Sequence, residues 1–156
     1  MHVVVSQGTT QEAVGMHRTS GELTLPADVR ALVADALVHA LSPDAVYLFG
    51  SADEGRLRPD SDVDLAVLVP DPITPAQRWA LTAQLANLVR RDVDLVDLRR
   101  ASTVLQALVV SRGSRLWVRD ASPVAWFEMR ALKSYALLNE ERAPILARMQ
   151  REGSPF

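Results

Sequence analysis

The first half of the chain contains one helical stripe followed by two strand-sized hydrophobic runs. Apolar residues recur at i, i+3, i+4 and i+7 positions over residues 26–41, and Pro26 suits the first turn of a helix. Residues 45–49 and 63–69 are short apolar runs, ended by Gly50 and by a Pro-Asp-Pro segment. This pattern predicts a helix and then two buried strands that are separated by a loop.

Helical and strand-sized patterns continue to alternate in the second half. Thr74-Pro75 is typical of a helix start, with threonine as the N-cap and proline at the first helical position. The predicted elements are, in order, a helix from Pro75 to about Arg90, a strand over 93–98, a helix from Ser102 or Thr103 to Val110, an edge strand over 115–118, a long helix over 122–139 and a shorter helix over 144–151.

The alternation predicts an α/β (or α+β) fold, with a small mixed β-sheet flanked by helices. A chain of 156 residues suits one domain that is large enough to bury a core. Residues 1–22 mix Gly, Ser, Thr and Gln without a clear period, so we expect a poorly ordered lead-in there. The domain is predicted to span residues 23–156.

Composition narrows the classes of function. The formal net charge of −2 provides no overall basic field for DNA or an anionic membrane. Cysteine is absent, which excludes disulfides and thiolate metal sites, and His2, His17 and His39 lack metal-ligand spacing. The apolar runs are far shorter than the roughly 20 residues that span a bilayer, and no basic leader precedes them. We expect a cytoplasmic protein.

The segment with the clearest chemical meaning is Leu48-Phe49-Gly50-Ser51, followed after ten residues by Asp62-Val63-Asp64-Leu65. Gly50 has no Cβ, so a phosphate can approach the backbone closely, and the Ser51 hydroxyl can donate a hydrogen bond to it. A helix beginning just after Ser51 would add free N–H groups and a favourable dipole. The Gly50-Ser51 turn is therefore a candidate nucleotide-binding site.

Asp62 and Asp64 are two residues apart, so their side chains leave the same face of a strand. Two such carboxylates repel each other unless a cation lies between them, and their hard oxygen atoms suit Mg²⁺. Asp92 and Asp94 share one face of the next strand, whereas Asp97 lies on the other. If the two strands are neighbours, Asp94 can act as a base toward an incoming hydroxyl and complete the metal site.

Each of these features is common by itself, since Asp-x-Asp pairs at strand ends are usually solvated. The combination is more specific, because charged groups within such apolar strands are costly unless something pairs with them. The arginine pairs 90–91 and 99–100 are most simply interpreted as solvated helix and strand ends. Trp117, Trp126 and Phe127 are predicted to be core residues or interface anchors.

The Gly-Ser, spacer and Asp-x-Asp pattern resembles the DNA polymerase β-like nucleotidyltransferase superfamily, and residues 49–65 resemble its minimal nucleotidyltransferases. More narrowly, the chain is similar to MntA-type antitoxins, which are encoded beside HEPN-domain toxins. The resemblance implies transfer of AMP from ATP to a tyrosine of a partner HEPN ribonuclease, in a complex with that toxin. It also implies that Gly50, Ser51, Asp62 and Asp64 bind the nucleotide, and that Asp62, Asp64 and Asp94 hold Mg²⁺.

Two alternatives remain open from the sequence. The first is adenylylation of a small hydroxylated molecule such as an aminoglycoside, although little chain follows residue 122 to build an acceptor-binding domain. The second is a binding module that neutralises its partner by contact alone. Glu54 favours that alternative, because it stands where the family often has arginine.

Overall fold

The computed structural model describes residues 17–19, 22–58 and 60–153. Helices and strands alternate along most of this length, and two single 3₁₀ turns follow β3 and β5. The elements are β1 (His17–Thr19), β2 (Glu22–Thr24), α1 (Ala27–Leu41), β3 (Ala45–Phe49), the turn Gly50–Ala52, β4 (Val63–Leu68), α2 (Pro75–Val89), β5 (Val93–Asp97), the turn Leu98–Arg100, α3 (Thr103–Arg112), β6 (Ser114–Val118) and α4 (Ala121–Glu152).

The central sheet has four strands in the order β5-β4-β3-β6. β3 pairs antiparallel with β4 on one side and with β6 on the other, whereas β4 and β5 are parallel. Parallel neighbours need a crossover connection, and α2 provides it. The predicted mixed sheet is confirmed, and so is the prediction that the fourth long strand lies at an edge.

Helices cover both faces of this sheet, because its strands present apolar side chains in both directions. Helices α1 and α2 pack on one face and α3 and α4 on the other, which confirms the predicted fold class. The first core contains Val29, Val33 and Leu37 of α1, Leu81, Leu85 and Val89 of α2, and Val46, Leu48, Val63, Leu65, Val67 and Leu95 of the sheet. The second contains Ala45, Tyr47, Phe49, Ala66, Leu68, Leu98, Val109 and Val124.

The start of α2 matches its prediction closely. The Thr74 hydroxyl accepts a hydrogen bond from the Gln77 N–H, and the Gln77 side chain accepts one from the Thr74 N–H. This capping box satisfies two N–H groups that a helix end leaves free, and Pro75 occupies the first helical position. At the other end, Arg90 adopts a left-handed conformation with φ 58°, which stops the helix before β5.

The poorly ordered lead-in that was expected over residues 1–22 stays a prediction. The short strands at residues 17–19 and 22–24 pair in an antiparallel arrangement. Residues 1–16, which include His2, and residues 20 and 21 lie outside the described residues.

The predicted break between a helix over 122–139 and a separate helix over 144–151 is wrong, because α4 continues through Pro144 to Glu152. Residues 139–152 are exposed, so water can hydrogen-bond the carbonyl that proline leaves unpaired, and the flanking Ala, Leu, Arg and Met are strong helix formers. Among the described residues, no helix has both the length and the apolar character needed to cross a membrane.

Candidate active site

Three carboxylates meet at one end of the β4–β5 pair. The parallel register places Asp64 of β4 opposite Asp94 of β5, and Asp62 directly precedes β4. Asp64 is half-buried, whereas Asp62 and Asp94 are exposed. β4 and β5 therefore pair directly, which was the condition for Asp94 to lie beside Asp62 and Asp64.

The Gly50-Ser51 turn lies at the same end of the sheet, because Phe49 pairs with Asp64. Gly50 has φ 72°, which glycine adopts without strain. A Cβ added to Gly50 would lie only 2.3 Å from Oδ2 of Asp64. Glycine is thus required here both by the backbone conformation and by the neighbouring carboxylate.

The expected helix after Ser51 is absent from this described segment. Gly50–Ala52 forms a single 3₁₀ turn, closed by a hydrogen bond from the Asp53 N–H to the Gly50 carbonyl, which also accepts a 3.1 Å bond from the Glu54 N–H. One turn is too short to provide a helix dipole. A phosphate at this position would instead meet the close backbone at Gly50 and the half-buried Ser51 hydroxyl.

The electrostatics of this edge favour a bound cation. Burial raises the pKa of Asp64 above its ordinary value, and the negative charges of Asp94 and Asp62 raise it further. Carboxylate oxygens that repel one another in this way are the ligands that Mg²⁺ prefers. Among the described residues no three acidic or imidazole groups form a ready-made metal site. The chemistry of the three donors fits Mg²⁺, but their present side-chain positions do not form a closed coordination shell.

Glu54 does not leave an uncompensated negative charge beside the Gly50-Ser51 turn. Its carboxylate forms an ion pair with Arg56, two residues along the same loop. The loop is further anchored by Leu57, which is buried in the core beside α1 and α2. Arg56 of the same loop therefore supplies a positive charge beside Glu54, the acidic residue that stands where the resembled family often has arginine.

The hydrogen bonds and ion pairs of Arg91, Arg99 and Arg100 were not predicted from the sequence. Arg91 is half-buried and donates a hydrogen bond of 3.3 Å to the Ser61 carbonyl, and it also donates to the carbonyl of Arg58. Arg100 forms a 2.8 Å ion pair with the buried Asp97. No local pattern distinguishes them from solvated arginines, because their partners come from other elements or depend on burial.

Arg99 also has partners within the chain. It lies 3.3 Å from Asp44 in an ion pair, and its guanidinium lies 5.7 Å from the centre of the Phe127 ring. Phe127 and Trp117 pack against the two cores, as predicted for core anchors, whereas 64% of Trp126 is exposed.

A polar cluster of two buried residues, Tyr47 and Glu128, and the exposed Arg115 joins three elements. The Tyr47 hydroxyl of β3 donates a 2.9 Å hydrogen bond to Oε1 of Glu128 on α4, and Arg115 of β6 donates to the same carboxylate at 2.8 Å. Burial and the hydrogen bond to Glu128 raise the pKa of Tyr47. The cluster ties α4 to β3 and to the edge strand β6.

Two shallow depressions flank the carboxylates. One, of about 420 Å³, contains Asp62 and extends over the end of α2. The other, of about 370 Å³, contains Asp94 and follows the outer edge of β5. Reactants can therefore reach the acidic edge from the end of the sheet and from its side.

Comparison with known families decides which class of protein this is. The family described as "Polymerase beta, Nucleotidyltransferase" matches residues 33–122, which include every carboxylate of the edge and the Gly50-Ser51 turn. The chain belongs to this nucleotidyltransferase family. The polymerase β-like fold that the sequence pattern predicted is thereby confirmed.

Individual relatives of this nucleotidyltransferase narrow the comparison. It is 42% identical over 101 residues to the "Protein adenylyltransferase MntA" of Shewanella oneidensis, a match that covers 65% of this chain and 72% of that protein. A crystal structure described as a toxin-antitoxin with AMP-PNP superimposes with a TM-score of 0.70 at 35% identity, covering 81% of this chain and 99% of the matched chain.

A second solved structure contains a modified toxin. It is described as the tri-AMPylated Shewanella oneidensis HEPN toxin in complex with MNT antitoxin, and it matches with a TM-score of 0.66 at 32% identity. The match covers 80% of this chain and 99% of that one. The predicted relationship of this nucleotidyltransferase to the MntA-type antitoxins is confirmed.

Proposed function

We propose that this nucleotidyltransferase transfers AMP from ATP to a tyrosine hydroxyl of a partner HEPN-domain toxin, and so acts as the antitoxin of that pair. The observation that carries the proposal is the acidic edge, where Asp64 and Asp94 stand in register beside the Gly50 turn. Its 42% identity to a protein adenylyltransferase supports a protein as the acceptor.

In this proposal the chain holds ATP at the turn after β3. The close backbone at Gly50 and the Ser51 hydroxyl contact the triphosphate, and Asp62, Asp64 and Asp94 hold Mg²⁺. Bound Mg²⁺ neutralises phosphate charge and aligns the displacement. Burial, and then the negative charges of Asp94 and Asp62, raise the pKa of Asp64. This supports the assignment, because a shared cation would offset the repulsion between the carboxylates.

The reaction forms one bond and breaks one bond at the α-phosphorus of ATP. The tyrosine oxygen bonds to that phosphorus while the bond to the β-phosphate oxygen breaks, so pyrophosphate leaves. The hydroxyl proton passes to Asp94, which is exposed on the edge strand and faces the side from which an acceptor can approach. Asp62 and Asp64 keep the nucleotide in place during the transfer.

The open edge suits a large acceptor. β5 is the outermost strand of the sheet, and a depression runs along it from Asp94. Among the described residues, α4 is the element that follows β6, and Asp62 and Asp94 remain exposed. A folded partner that presents a tyrosine fits this arrangement better than a small aminoglycoside, which needs more enclosure than a shallow depression gives.

Intact-mass spectrometry of the co-expressed partner tests the proposal. We expect AMP-sized mass additions on the toxin with the wild-type chain, and none with the Asp62→Asn/Asp64→Asn variant. An unmodified toxin that is nevertheless inhibited would contradict transfer and favour neutralisation by contact. Modification of an aminoglycoside, but not of the toxin, would favour the small-molecule enzyme.

A further inference from the structure

Arg91 connects the turn between α2 and β5 to the loop that ends at Asp62. Its guanidinium donates hydrogen bonds to the carbonyls of Arg58 and Ser61, the latter at 3.3 Å. The same loop is closed on itself by a 3.1 Å bond from the Ser61 N–H to the Arg58 carbonyl. Arg91 therefore contacts both Arg58 and Ser61, the two residues that this bond joins.

The backbone that carries Arg91 is itself fixed. The Arg90 N–H and the Arg91 N–H both donate to the Ala86 carbonyl at the end of α2, the second at 3.3 Å. One residue later, the Asp92 carbonyl accepts a 2.9 Å hydrogen bond from the Val63 N–H. The guanidinium thus projects from a helix end and a strand start that are both held in place.

Asp62 needs such support more than Asp64 does. Asp64 lies within β4 and is paired on both sides, whereas the pairing with β5 begins only at Val63. The Ser61 carbonyl belongs to the peptide group whose nitrogen is that of Asp62, so a bond to this oxygen restricts the orientation of Asp62. Without the bond, repulsion from the other carboxylates would favour movement of Asp62 away from the edge.

We propose that Arg91 is a positioning residue that holds Asp62 in place for metal binding, through its hydrogen bonds to the Arg58 and Ser61 carbonyls. The inference rests on the proposed role of Asp62 as a metal ligand. Arginine suits the task because its planar group presents several donors in a fixed geometry, whereas lysine offers a compact charge on a flexible stem. Partners of this kind typically change metal affinity about 10- to 100-fold when removed.

The test compares Arg91→Met and Arg91→Lys with Arg90→Met as the matched control. Arg90 is the adjacent arginine, is exposed and borders the same depression. Binding of Mn²⁺, in the presence of AMP-PNP, is measured by electron paramagnetic resonance on the full chain. We expect Arg91→Met to weaken binding about 10-fold or more, Arg91→Lys to recover only part of the loss, and Arg90→Met to change little.

Hydrogen exchange of the backbone amides of residues 58 and 60–63, measured without metal or nucleotide, provides a second readout. We expect faster exchange in Arg91→Met and unchanged exchange in Arg90→Met, with the remainder of the domain protected in both variants. Local loosening in an otherwise folded protein separates positioning from general loss of structure.

Three outcomes would overturn the inference. The first is unchanged hydrogen exchange and Mn²⁺ affinity in Arg91→Met. The others are an equal loss of Mn²⁺ affinity in the Arg90 and Arg91 variants, and full recovery of that affinity in Arg91→Lys, since either would indicate a pure charge effect. Neither readout requires toxin modification. A wild-type chain that binds Mn²⁺ without modifying the toxin would therefore contradict the proposed function but leave the role of Arg91 intact.

Discussion

The carboxylate of Asp64 occupies the space that a side chain on Gly50 would need, because a Cβ there would lie 2.3 Å from Oδ2. Gly50 directly follows β3, and Asp64 lies in the neighbouring antiparallel strand β4, where it pairs with Phe49. The glycine-serine turn and the acidic pair are therefore one structural unit. A change in either should affect both nucleotide binding and metal binding.

Replacement of Gly50 by alanine should damage activity and stability together. The left-handed backbone costs a non-glycine residue about 1–2 kcal/mol, and the new methyl group would push Asp64 from its position. Displacement of a catalytic group by about 1 Å can lower a rate about 10²-fold. AMP transfer and urea unfolding of Gly50→Ala measure the two effects.

Gly153→Ala is the matched control for this change. Gly153 has φ 73°, nearly the same φ as Gly50, but no atom of the described residues lies within 4 Å of the added Cβ. It should show backbone strain without loss of transfer. Equal activity of Gly50→Ala and Gly153→Ala would contradict the fitted relation between Gly50 and Asp64.

Asp64→Asn should stabilise the metal-free protein at neutral pH. The folded-state pKa of Asp64 is raised above 3.8, so the stability linked to its bound proton is fully present below that pH and is lost as pH rises through the folded-state pKa. Asparagine avoids this loss. The melting temperature should exceed that of the wild type by about 2–4 °C for each kcal/mol of desolvation cost and repulsion that the substitution relieves, and the gap should narrow toward acidic pH.

Addition of Mg²⁺ should reverse this order. The ion stabilises only a chain that binds it, so with Mg²⁺ and AMP-PNP the wild type should gain stability while Asp64→Asn should not. Thermal unfolding over a pH series, with and without the two ligands, measures both effects. A variant that is less stable than the wild type without metal would show that Asp64 is not under repulsion.

Asp94→Asn should lower AMP transfer far more than Asp92→Asn. The two aspartates are exposed and share one side of the chain, but only Asp94 stands in register with Asp64. Loss of a general base typically lowers a rate about 10²–10⁴-fold. Single-turnover transfer to the toxin compares the variants, and an Asp92→Asn loss as large as that of Asp94→Asn would remove the special role of Asp94.

Tyr47→Phe should destabilise the fold without altering the chemistry. The substitution removes a 2.9 Å hydrogen bond to the buried Glu128, and bonds to charged groups contribute about 1.5–3 kcal/mol. Glu128 keeps Arg115 as a partner, so the expected loss of unfolding free energy lies near the lower end of this range. Urea unfolding, with Tyr135→Phe as the control, should show a loss at Tyr47 alone. A lower transfer rate in fully folded Tyr47→Phe would contradict this purely structural role.

Features with a local cause were predictable from the sequence. Thr74, Pro75 and the alternating apolar runs determine helix and strand limits through neighbouring residues, and the strand-borne aspartates identified the acidic edge. Features that depend on distant partners were not. The carbonyls bound by Arg91, and the Glu128 carboxylate that Tyr47 contacts, lie about 30 and 81 residues away along the chain. The uninterrupted α4 was missed because the effect of Pro144 depends on exposure.

The most direct test of the central claim uses purified toxin, the wild-type chain, Mg²⁺ and ATP labelled at the α-phosphorus. We predict label that stays on the toxin after denaturation, that depends on Asp62 and Asp64, and that is not transferred when only the γ-phosphorus of ATP is labelled. A toxin that is inhibited by the chain yet carries no label would contradict adenylylation and show that binding alone neutralises it.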